Sequence, residues 1–140
     1  MKKFIILGIL LLASVGFAKP LFEDDYMNNK YGNIYCWYNS ADNLLATAQG
    51  YYSTPPQSLQ DKRDALSDAM DDLTTYGESG DREGFDAQVH TIMTLVFDAY
   101  RTFKDEARYA FSQGWETRDD IRNDYMFSRM FLSMCFSPPD

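Results

Sequence analysis

Apolar residues recur at steps of three and four along most of this chain, and the pattern is strongest between Phe85 and Phe111. Phe85, Val89, Ile92, Val96, Ala99, Phe103, Ala107 and Ala110 fall on one side of an α-helix, where each residue turns by about 100°. Met93, Phe97, Tyr100 and Phe111 widen that stripe, while Asp86, Arg101, Lys104, Asp105 and Arg108 lie mostly outside it. The spacing predicts a helix from Arg82 to Gln113, about 45–50 Å long if unbroken. That exceeds what its neighbours can cover, so a kink or break near Thr102, or an exposed overhang, is expected. A helix this apolar needs other segments packed around it.

Three more helices follow from the same reading. Ile34, Tyr38, Ala41, Leu45, Ala48 and Tyr52 set a first stripe, with Asn33 as its N-cap, Cys36 in its first turn and Pro55-Pro56 beyond its end. Leu59, Leu66, Ala69, Met70, Leu73 and Tyr76 set a second, capped by Ser58 with Asp61 three residues on, and ended by Gly77 and Gly80. Gly114 stops the long third helix. Thr117, with Asp120 three residues on, caps a fourth, whose stripe is Ile121, Tyr125, Leu132 and Cys135 or Phe136. Residues 19–32 are polar and Asn-rich with no clear period, and read as an irregular lead-in. No β alternation extends beyond a few residues. The expected fold is all-α, a four-helix up-and-down bundle-like domain over residues 33–140.

The first eighteen residues decide the compartment. Lys2 and Lys3 precede the apolar run from Phe4 to Leu12, and the small residues before Lys19 suit a cut after Ala18, so residues 1–18 read as a cleaved signal peptide. The apolar run is shorter than the roughly 18–20 residues of a spanning helix. The expected location is periplasmic or secreted. There, an even pair of cysteines, Cys36 and Cys135, most simply forms one disulfide joining the first and last helices. Two buried thiols or a redox pair are the alternatives, and no C-x-x-C motif supports the latter. Net charge is −8, and −10 once Lys2 and Lys3 are removed. Such a chain repels nucleic-acid phosphates, and its charged partner is expected to be basic.

Catalytic constellations are sparse. His90 is the single histidine, one residue off the core line of the third helix, and no nucleophile-turn motif accompanies it. Glu83, Glu106 and Glu116 have no assigned role, and sequence distance says nothing of their separation in space. Met126, Met130 and Met134 line one face of the fourth helix, either as packing or as soft ligands for Cu(I). From Tyr125 to Phe136 only Ser128, Arg129 and Ser133 are polar, so this helix is central to the bundle or presents a contact surface, such as that of a homodimer. Asp61, Asp64, Asp68, Asp71 and Asp72 form an acidic ridge on the second helix. It is either a solvated face or a docking surface for a basic protein. Tyr31, Tyr35 and Trp37 crowd around Cys36, as packing or as an aromatic contact patch.

These features point to a non-enzymatic exported interaction protein without cofactors, an inhibitor or immunity protein that binds a basic envelope-acting enzyme or toxin. The alternative is a small-ligand or copper-binding bundle that uses the methionine stripe.

Overall fold

The fold, a computed structural model, is described for residues 21–135. The expected signal peptide and Phe136, offered with Cys135 as the last position of the fourth stripe, lie outside these residues. Four helices make up the described chain: α1 (Asp25–Gly50), α2 (Gln57–Ser79), α3 (Arg82–Ser112) and α4 (Arg118–Ser133). The all-α bundle is as the spacing predicts, and Cys36 is bonded to Cys135 across 99 residues of sequence. No helix among the described residues is long and apolar enough to cross a membrane.

Two helix starts differ from expectation. Helix α1 begins at Asp25, inside the stretch read as an irregular lead-in, and its N-cap is Asp24 rather than Asn33. The Asp24 carboxylate accepts from the Met27 amide at 3.1 Å, which satisfies one of the unpaired first-turn donors. Buried Met27 and half-buried Tyr31 then continue the stripe of Ile34 and Tyr38 backwards at steps of three and four. Cys36 consequently lies near the middle of α1, not in its first turn. Helix α2 starts at Gln57 after Pro56, without a side-chain cap, so Ser58 is already helical. It runs through Gly77 and ends at Gly80 (φ 73°), where the Asp81 amide donates back to the Tyr76 carbonyl at 3.0 Å.

Helix α3 is unbroken through Thr102, and its eight buried residues are the eight of the predicted core line. Near its far end Tyr109 and Phe111 are exposed, but Ala107 and Ala110 stay buried and Tyr109 stacks on Tyr52 at 6.2 Å, so that end is covered on one side and is not the bare overhang expected. Gly114, in the left-handed region at φ 76°, turns the chain, and Thr117 accepts from the Asp120 amide at 3.1 Å to start α4 as expected.

Packing is uneven. Helix α1 lies against α2, α3 and α4, and α3 also packs on α2, while α4 leans chiefly on α1. Helices α2 and α4 therefore occupy opposite sides of the α1–α3 pair. The core of the first three helices holds Phe85, Leu44, Leu45, Leu59, Leu66, Leu73 and Ile92, each essentially inaccessible. Helix α4 is held by the disulfide at one end and by a buried hydroxyl cluster further along. Ser128 Oγ donates to the Ser40 carbonyl at 2.6 Å and lies 3.1 Å from Ser40 Oγ, which also bonds the Tyr100 hydroxyl.

Candidate functional site

The structure distributes the predicted site residues over three faces. Asp61, Asp64, Asp68, Asp71 and Asp72 are all exposed on the outer side of α2. The two cations of that helix reach across to its neighbours: Lys62 meets Asp98 and Thr102 of α3 at 2.8 and 2.7 Å, and Arg63 meets Asp42 of α1 at 2.8 Å. The hydrogen bond to Asp42 holds the Arg63 guanidinium above its ordinary pKa. Of the aromatic group, Tyr31 and Tyr35 stack at 5.8 Å, and Thr74 of α2 donates to the Tyr31 hydroxyl at 3.4 Å. These tyrosines border the acidic face, because Asp71 is one turn from Thr74. Trp37 does not join them; it meets Phe97 and Tyr100 of α3 on another side of α1.

The methionine stripe is not core. Met126 and Met130 are 57% and 54% exposed on the outward side of α4, and Met134 is half-buried. Among the described residues no group of three or more His, Cys, Asp or Glu side chains is placed to hold a metal ion. His90 and Glu83 are exposed. Glu106 is half-buried and accepts from the Tyr52 hydroxyl. Burial first, and then this hydrogen bond, push the Tyr52 phenol up to about 12.

A site that the linear sequence did not reveal lies between α3 and α4. Helix α4 leans chiefly on α1 and meets α3 through Tyr125, and a groove of about 670 Å³ opens between α3 and α4, within the roughly 300–1,000 Å³ range of small-molecule sites. Phe103, Ala107, Ile121 and Tyr125 form much of its floor. The Tyr125 ring stacks on Phe103 at 6.3 Å and meets Tyr100 edge-on at 6.3 Å. Burial pushes the Tyr100 phenol above its ordinary pKa.

The rims are cationic. Arg101, Lys104 and Arg108 follow one another on α3 at steps of three and four, and Arg118 and Arg122 stand one turn apart on α4. The described residues contain ten Lys and Arg side chains, and half of them line this one groove of an acidic protein. The Arg118 guanidinium lies 5.1 Å from the centre of the Phe111 ring, at the turn end of the groove. Two rim arginines also touch carboxylates of their own helices, Arg122 to Asp119 at 3.0 Å and Arg101 to Asp98 at 3.9 Å. These pairs are exposed, and such pairs are weak enough for a ligand to compete with them. The signal for this site was the repeat of basic residues at helical spacing on both segments. What sequence could not supply was the register that sets one row opposite the other.

Comparison with family models, with curated proteins and with solved structures finds no match for the chain.

Proposed function

We propose that this chain is a non-catalytic binding protein of an extracytoplasmic compartment, and that the groove between α3 and α4 is its binding site. The observation that carries this reading is the open groove of about 670 Å³, apolar on its floor and cationic on its rims, between α3 and α4. The groove lining offers tyrosines, arginines and a lysine but no carboxylate, histidine or thiol among the described residues, which favours binding over acid–base or nucleophilic chemistry. The disulfide and the signal-like first eighteen residues support export to an oxidising compartment.

A neutral apolar dye tests the site. Nile red should brighten on the purified protein with one dye bound per chain. Ile121→Asp, which puts a charge on the groove floor, should abolish the signal while helical circular dichroism is kept. A wild-type chain that binds no dye refutes the proposal.

A second reading concerns the opposite side of the molecule. The five exposed aspartates of α2, whose neighbouring cations Lys62 and Arg63 reach across to Asp98 and Asp42, are bordered by Tyr31 and Tyr35. That face favours docking of a basic protein, as an inhibitor or immunity protein would do. Retention of a basic envelope protein by the wild type, and its loss when the five become asparagine, is the expected result. Equal retention by both sinks it.

A further inference from the structure

On the reading of the groove as the binding site, we infer that its ligand is a long-chain fatty carboxylate, held head-first among Lys104, Arg108, Arg118 and Arg122 with its tail directed toward Phe97 and Trp37. Three observations lead there. The first is the pairing of an apolar floor with five rim cations in a protein of net charge −8, an arrangement complementary to an amphiphile that is anionic at one end. Neither a neutral lipid nor a cationic peptide would use that rim.

The second is a gradient along the groove. Helix α3 descends to the turn at Gly114 and α4 climbs back from it, so Arg108, Phe111 and Arg118 share the turn end, with Lys104 and Arg122 one helical turn above them. Going the other way along α3, the same side presents Tyr100 and then Phe97, which is 55% exposed and packs edge-on against Trp37 at 6.3 Å. Met93 follows one turn later, half-buried. Lys104, Arg108, Arg118 and Arg122 gather toward the turn, Arg101 stands one turn further along α3 and Arg129 lies 6.0 Å from the Tyr125 ring, while the exposed apolar surface continues past them at Phe97.

The third is length. From Phe111 to Phe97 the helix rises about 21 Å at its usual 1.5 Å per residue, a span that suits one extended acyl chain running beyond the groove lining onto Phe97.

Displacement of Nile red by palmitate, cetyl alcohol and cetylamine, which differ in their head groups, tests the assignment. Palmitate should bind about tenfold or more tighter than cetyl alcohol, as expected for charge-assisted contacts, and cetylamine should bind weakest. Arg108→Gln with Arg118→Gln should remove the preference for palmitate and leave the alcohol unchanged. Lys30→Gln, a cation over the Tyr26 ring near the start of α1, should alter neither. The two tryptophans report direction: ω-bromopalmitate should quench Trp37 in Trp115→Phe more strongly than Trp115 in Trp37→Phe. Equal affinity for acid and alcohol overturns the inference while leaving the groove as an apolar site. Quenching confined to Trp115 overturns the orientation, and with it the role given to the turn-end cations. Failure of Nile red itself to bind removes the site and the ligand together.

Discussion

Ser40 and Ser128 are fully buried, although serine is ordinarily a surface residue, and their hydroxyls bond each other and Tyr100 where α1, α3 and α4 meet. Nothing in the sequence marks them, because a serine on a helix reads as solvated until its neighbour is known. Asn43 is the counterexample: it is 8% exposed and its side-chain oxygen has no hydrogen-bond partner among the described residues. A buried unpaired acceptor costs about 1–3 kcal/mol relative to a satisfied one. Asn43→Leu should therefore leave thermal stability unchanged or raised, whereas Ser40→Ala, which strips partners from Tyr100 and Ser128, should lower it by about 1–3 kcal/mol; chemical denaturation of the two variants checks the contrast. The tyrosines set the alkaline limit. Tyr51, Tyr52 and Tyr100 all have phenols raised above the ordinary 10.0, mainly by burial, with Asp124 adding to the effect at Tyr51 and Glu106 at Tyr52. The native state then holds these protons more tightly than the unfolded chain, so their contribution is complete below about pH 10 and is lost as pH rises through the folded values. Melting temperature should be flat with respect to these groups through neutral pH and fall from about pH 10 upward, with tyrosinate absorbance in the native protein appearing later than in denaturant. A native titration that coincides with the denatured one contradicts this.

At the level of elements, α3 was legible to the residue and α1 only from its middle onward. The core line of α3 is long and strongly periodic, so its buried residues follow from spacing alone. The start of α1 was hidden by composition: Asp24, Asp25, Asn28, Asn29 and Lys30 made the stretch look like a loop, although Met27, Tyr31 and Ile34 carried the helical spacing through it. Tertiary packing decides that turn. Phe22 folds over it and meets Tyr31 and Phe85 edge-on at 5.4 and 6.1 Å, and its ring lies where a side chain on Gly77 would have to go. Gly77 is therefore a contact residue inside α2 and not the helix stop it resembled. Gly77→Ala, otherwise a helix-favouring change, should destabilise by about 1–3 kcal/mol because the packed ring has to move; an increase in melting temperature would show that Phe22 does not pack there. The placement of Cys36 has a similar consequence. Since it lies near the middle of α1, the disulfide fixes the far end of α4 partway along the bundle, and the first turns of α1 pack on α2 and α3 without α4. Replacing Cys36 and Cys135 by serine opens a loop of about 100 residues and should lower stability by up to about 4–5 kcal/mol on the chain-entropy model. The loss should be visible first as trypsin cleavage within α4, with Nile red binding lost in parallel because one wall of the groove is no longer held.

Across the whole molecule the charges are sorted. The two flanking helices face opposite ways from the α1–α3 pair; the outer side of α2 carries five exposed aspartates, and the groove beside α4 carries half of the described basic residues. The acidic ridge was readable because its members repeat on one helix. The cationic groove was not, because it needs two helices in register and a fold that sets α4 beside α3. Composition averaged the two into a single acidic number and pointed only to basic partners. The same sorting makes the two faces separable. Substitutions far apart with no shared partner add in their effects, and exposed charges beyond about 10 Å are largely screened at about 0.1 M salt. Converting Asp61, Asp64, Asp68, Asp71 and Asp72 to asparagine should therefore leave palmitate affinity within about twofold at that ionic strength. At low salt, where the Debye length reaches about 30 Å, the same variant should bind palmitate more tightly than wild type, since the field opposing an incoming anion has been reduced. Isothermal titration of both proteins at the two salt concentrations measures this. A large loss of palmitate affinity at moderate salt would mean that the acidic face takes part in the groove's chemistry, and that the division of the molecule into two independent surfaces is mistaken.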